Sequence, residues 1–152
     1  MPDRDRIIGD FKPIPIDGLY MPVAWMSVVS IDGKSESRCV ETLLDTGASV
    51  NIVSIGLAKD LLKKTEEEIK KGKFLNLGGL GSVTRSYGWP INLRLRAKYG
   101  DTESVLIPDT WIYASEKSLS SFPVLFGQLG GFHKRWFGHS NHDSKRFWQL
   151  VL

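Results

Sequence analysis

Leu43-Leu44-Asp45-Thr46-Gly47-Ala48-Ser49 is the stretch on which the reading of this chain turns. The residues before it, from about Ser37 through Val40 to Leu44, read as a strand rich in apolar side chains. An acidic residue directly after a strand, followed by a small hydroxyl residue and a glycine, places a carboxylate in a tight loop. Gly47 lets the backbone turn sharply and brings its N–H towards the carboxylate oxygens. Thr46 adds a hydroxyl that donates and accepts at once. Taken alone, Asp-Thr-Gly is good chemistry for an ordinary Asx-type turn, and that reading leads until other features are added.

Working outward, Tyr20 to Ser30 is an apolar strand candidate, and Ile31-Asp32-Gly33-Lys34 is a hairpin signal. Residues 1–18 hold Pro2, Pro13 and Pro15 among charges and read as an extended N-terminal arm, leaving residues 19–152 as one domain. After the loop, Ser54 caps a helix on which Leu57, Ala58, Leu61 and Leu62 recur at helical spacing. Thr65-Glu66-Glu67-Glu68 has capping-box form for a further short turn, with Lys63, Lys64, Lys70 and Lys71 on a solvated face. Ile91 to Ala97 alternates strictly, which predicts Ile91, Leu93, Leu95 and Ala97 inside and Arg94 and Arg96 in water. Tyr99-Gly100-Asp101 turns the chain into Val105-Leu106-Ile107, Phe122 to Phe126 reads as a strand buried on both faces, and Arg146 to Leu152 as a final strand. The expected class is all-β, with one or two short helices.

Composition narrows the functional classes. The 152 residues are 41% hydrophobic and 24% charged, enough apolar material for one core and too much for disorder. A formal charge of +3 is too small to make a nucleic-acid footprint, so no nucleic-acid partner is expected. No stretch approaches the roughly 20 apolar residues of a membrane span, and Met-Pro-Asp-Arg-Asp-Arg does not open like a secretory signal. Cys39 stands alone, so no intrachain disulfide forms, and it reads as a small core residue. These features predict a soluble, cytoplasmic domain. His133, His139 and His142 lack the His-Glu-x-x-His form, and Gly79-Leu80-Gly81 lacks a following Gly-Lys-Ser/Thr, so neither a metal nor a phosphate-bearing cofactor is predicted. Lys134, Arg135, Lys145 and Arg146, close to Trp136 and Trp148, read as cations snorkelling beside partly buried aromatic edges.

Three motifs in order resemble the retroviral-type (retropepsin-like) aspartic protease family, bacterial members included, over most of residues 20–152. Residues 43–49 resemble its catalytic loop. The Gly-rich stretch Leu77-Gly78-Gly79-Leu80-Gly81-Ser82 resembles the flap hairpin that closes over bound peptide. Val124-Leu125-Phe126-Gly127 resembles the strand that threads beside the catalytic loop and leads into a short C-terminal helix. Where the family commonly continues with Arg and an acidic residue, this chain has Gln128-Leu129, and the next pair, Gly130-Gly131, is poor helix material that predicts a short or distorted helix.

The resemblance implies a closed retropepsin-like β-barrel and an aspartic endopeptidase. Asp45, Thr46 and Gly47 would be its catalytic loop, with Ala48 and Gly78, Gly79, Leu80, Gly81 and Ser82 lining the peptide. Such chemistry needs two carboxylates. The other Asp-Thr and Asp-Ser pairs, Asp101-Thr102, Asp109-Thr110 and Asp143-Ser144, lack the glycine. An active enzyme is therefore expected to be a homodimer with one Asp45 from each subunit, acting on a peptide or protein substrate without a cofactor. The rival from another class is a dimeric peptide-binding module that keeps the fold and turns over little.

Overall fold

The computed structural model describes residues 4–13, 18–79, 82–117, 122–142 and 145–152. It is mostly β, 57% strand and 9% helix, with a closed six-stranded barrel and two helices. The apolar run after Leu19 forms β2 (Tyr20–Val29), which turns through Gly33 at φ +72 and returns as β3 (Val40–Leu44). Beyond the Asp45 loop come β4 (Ile52–Ser54), α1 (Ile55–Leu62) and α2 (Glu66–Ile69). A long hairpin follows, made of β5 (Lys73–Gly79) and β6 (Ser82–Arg96), and β7 (Val105–Ser115) then pairs along β6. The short β8 (Val124–Phe126) lies parallel to β3 and antiparallel to β4, so it fills the gap between two strands joined by the Asp45 loop. The neighbour order β6-β7-β4-β8-β3-β2 closes on itself where β2 pairs with β6.

Alternation along these strands makes the core. Ala24, Thr42, Val124, Val53 and Ala114 face inward in one cross-strand row and are fully buried, with Met26, Leu93, Leu95, Ile107, Ile112 and Phe126 around them. The helices close the barrel as their sequences require. The Ser54 hydroxyl accepts from the Leu57 N–H, Ala58 and Leu61 face the core, and Lys63 ends α1 in the left-handed region. Thr65 caps α2, which drives Ile69 fully into the interior.

Several expectations are corrected. Part of the stretch read as an N-terminal arm is β1 (Arg6–Pro13), which pairs with β2 and with β10 (Lys145–Val151). It is anchored by Gly9, which lies against the ring of fully buried Trp148; a Cβ at Gly9 would stand 2.3 Å from that ring. Residues 136–142, which the sequence left without an element, form β9 (Trp136–His142) paired along β10, and His139 packs beside Phe11 and Phe137. The expected C-terminal helix is replaced by turns through residues 128–135. Gly130 takes φ +87 and Lys134 φ +63, values a right-handed helix does not tolerate. Arg94 and Arg96 are not in open water. Their side chains are 18% and 19% exposed and both lie on Glu36, because β6 is flanked by strands on both edges and the 30–39 turn covers its outer face. Cys39 is half-buried against the Arg96 guanidinium at 3.4 Å, outside the core. Of the cations near the two tryptophans, Arg146 stacks on Tyr20 at 3.8 Å.

Gly127 is where this arrangement is tightest. A Cβ there would sit 2.3 Å from the Val50 carbonyl oxygen and 2.8 Å from that of Ala48, both backbone atoms that have nowhere to go. Gly127→Ala should therefore cost about 3 kcal/mol in urea unfolding, the upper range for overpacking. Gly56→Ala, in open space on α1, should leave stability unchanged or slightly raised. Equal stability for the two variants would contradict the threading.

Candidate functional site

The loop between β3 and β4 is clamped from beneath by β8 and the residues after it. The Asp45 N–H donates to the Phe126 carbonyl at 3.0 Å, Gln128 N–H to Ala48 O at 2.9 Å, and Leu129 N–H to Ser49 O at 2.8 Å. Within the loop, the Ala48 N–H closes a turn on the Asp45 carbonyl at 3.1 Å. The Gly47 N–H reaches Asp45 Oδ1 at 2.9 Å, the contact that the order Asp-Thr-Gly leads one to expect. A Cβ on Gly47 would approach that same oxygen to 3.2 Å, a close but single side-chain contact. Asp45 is half-buried, no described residue bonds its Oδ2, and Thr46, Gly47 and Ser49 stand exposed at the surface while Ala48 turns inward.

Two side chains brace the loop that sequence reading missed. Asn51 is fully buried; its Oδ1 accepts from the Gly127 N–H at 3.0 Å and its Nδ2 donates to the Trp111 carbonyl at 3.1 Å. Gln128 donates from Nε2 to the Thr46 carbonyl at 2.8 Å. A lone Asn two residues past Ser49 carries no sequence signal for a strand-to-strand tie.

Beside the loop runs a second row of apolar side chains, on the outer face of the barrel. Cross-strand register aligns Val23, Leu43, Leu125, Ile52 and Tyr113, and continues to Gly88 and Lys73 at the base of the β5–β6 hairpin. Val23 and Leu43 pack with Phe122, Met21 and Leu125 in a cluster separate from the barrel core. Alternation puts Leu75 and Leu77 of β5 on this same face, and Phe74 and Val83 on the other. Burial raises the pKa of the Tyr113 hydroxyl, and a hydrogen bond to Glu116 leads the rise at Tyr87.

The structure thus brings Asp45, Thr46, Gly47 and Ala48 into one loop, and places Gly78, Gly79 and Ser82 at the end of the hairpin, where Gly79 pairs with Ser82. Leu80 and Gly81 lie outside the described residues. Among the described residues no group of three His, Cys, Asp or Glu side chains is placed to hold a metal ion, and no helix is long and apolar enough to cross a membrane. No protein-family model matches the chain, and no curated protein matches it.

Removing the brace should show how much the loop depends on it. Asn51→Leu leaves the Gly127 N–H and the Trp111 carbonyl buried without partners and should cost about 3 kcal/mol in chemical denaturation. Amide exchange at Gly127 and Gln128 should quicken with it. A loss under about 0.5 kcal/mol, the scale of an ordinary surface change, would show the loop to be held by other means.

Proposed function

We propose that the chain is an aspartic-type endopeptidase, a retropepsin-like barrel that acts as a homodimer with Asp45 of each subunit at the two-fold axis. The observation that supports this most is the loop itself. It presents a half-buried carboxylate at the surface, one oxygen bonded to Gly47 N–H and the other without a described partner, on a rigid main-chain support beside an apolar row. A lone carboxylate so placed has no partner for acid–base work among the described residues of its own chain, and a two-fold axis would supply one.

Two carboxylates a few ångströms apart cannot both ionise and share one proton. The ionised one takes a proton from a water molecule, whose oxygen bonds to the scissile carbonyl carbon. The protonated one gives its proton to the carbonyl oxygen. Collapse of the tetrahedral intermediate then breaks the C–N bond as the amine nitrogen takes up a proton. The exposed Thr46 hydroxyls would link the two loops across the axis. The hairpin carrying Gly78, Gly79, Leu80, Gly81 and Ser82 would cover the peptide, its glycines easing opening and closing.

A second reading is a dimeric peptide-binding module that does not turn over. What favours it is Gln128, which replaces the family's usual arginine and spends its amide on its own subunit's Thr46 carbonyl. Peptide-library cleavage separates the two readings. The wild type should cleave, with activity per chain falling on dilution through the dimer dissociation constant. Its pH–rate profile should be bell-shaped and centred on the acid side of neutrality. Asp45→Asn should abolish cleavage while leaving the fold intact. A profile rising monotonically into alkali, or an Asp45→Asn protein that keeps most of its rate, would exclude the aspartic mechanism.

A further inference from the structure

Buried aromatic rings that carry a polar atom normally find it a partner. In this barrel buried Tyr87 and Trp148 do, as does half-buried Trp89. The Tyr87 hydroxyl donates to Glu116 at 2.6 Å, Trp89 Nε1 to the Ile69 carbonyl at 2.9 Å, and Trp148 Nε1 to the Val23 carbonyl at 3.2 Å. Tyr113 does not. Its ring is buried but its hydroxyl reaches the surface, where among the described residues nothing donates to it or accepts from it. Its ring lies flat over Gly88, where a Cβ would stand 2.6 Å from Cε1, so the residue is fixed in place by its packing. It continues the apolar outer row that runs from Leu43, two residues before Asp45, across Leu125 and Ile52.

Register puts a cation at the end of that row. Lys73 pairs with Gly88, which pairs with Tyr113, and its ammonium lies 5.6 Å from the centre of the Trp111 ring, itself stacked on Tyr113. Lys73 makes no ion pair with a described residue. The nearby Glu116 is already engaged by the Tyr87 hydroxyl and faces Lys70 at 4.0 Å. A rigidly held hydroxyl that reaches the surface and a cation with no ion pair among the described residues, on one wall of an apolar surface, suit a negatively charged acceptor.

We propose that Tyr113 is a specificity-determining residue, donating its hydroxyl hydrogen bond to the carboxylate of a Glu or Asp side chain in a peptide laid along this row, with Lys73 supplying the opposite charge. The inference rests on the reading of the Asp45 surface as a peptide site, though not on turnover there. Phe at this position would keep the ring packing on Gly88 and lose only the donor.

The test uses peptide binding to the full chain carrying Asp45→Asn, measured by calorimetry. An apolar peptide receives a single Glu, Gln or Leu at each position in turn. Glu should bind about tenfold tighter than Leu at one position, the scale of a hydrogen bond to a charged group. Adding Tyr113→Phe should remove that preference while leaving the all-apolar peptide's affinity unchanged. Adding Lys73→Met should reduce the preference and flatten its salt dependence. A Glu preference at no position, one that survives Tyr113→Phe, or no binding of any peptide would overturn the proposal. Wild-type cleavage of the same peptides is scored separately. A Tyr113-dependent Glu preference without cleavage refutes the peptidase reading and leaves this inference standing, whereas cleavage without that preference does the reverse.

Discussion

Everything around Asp45 depends on a three-residue strand lying between β3 and β4, with room for no side chain on the residue that follows it. Val124–Phe126 gives its main chain to β3 on one edge and β4 on the other. Gly127 then passes so close to the Ala48 and Val50 carbonyls that only hydrogen fits. That proximity lets Asn51, Gln128 and Leu129 tie the loop down through short bonds rather than leave it as a free surface turn. Preorganisation of this kind is what a site needs if its carboxylate is to be held within a fraction of an ångström.

The same strands carry apolar residues on both faces, and each face does a different job. Inward rows fill the barrel. The outward row runs from Val23 and Leu43, which pack in a cluster apart from the core, across Leu125 and Ile52 to Tyr113 at the base of the β5–β6 hairpin. Neighbouring residues of one strand therefore serve opposite faces: Leu44 and Val53 belong to the core, Leu43 and Ile52 to the outer wall. Polar groups obey the same economy. Thr42, Ser86 and Asn51 are buried with partners, and Glu36 collects Arg94, Arg96 and the Ser27 hydroxyl on the barrel's far wall.

Features written in local chemistry were legible in the sequence. Asp-Thr-Gly after a strand, Asp-Gly at a hairpin, Ser54 and Thr65 as caps, and the alternation of Ile91 to Leu95 each act within a few residues, and the structure places them as their chemistry demands. What escaped was set by pairing between distant segments. Gly9 reads as a loop glycine until Trp148 lies on it. Trp136 to His142 carries no clear strand signal of its own and becomes a strand only where β10 pairs beside it. Arg94 and Arg96 alternate like exposed cations, and only the fold over β6 brings Glu36 against them. In the candidate site the loop was visible, whereas Asn51, Ile52 and Tyr113 join it through strand neighbours far along the chain.

The half-buried Asp45 carboxylate is proposed as half of a catalytic pair, and subunit mixing addresses that idea most directly. Wild-type and Asp45→Asn chains are co-refolded in varying ratio at fixed total concentration, and peptide hydrolysis is followed. A site that requires Asp45 from both subunits predicts activity falling as the square of the wild-type fraction, to about one quarter in an equal mixture under random pairing. Activity falling in simple proportion, to about one half, would show that each chain works alone and would contradict the shared site.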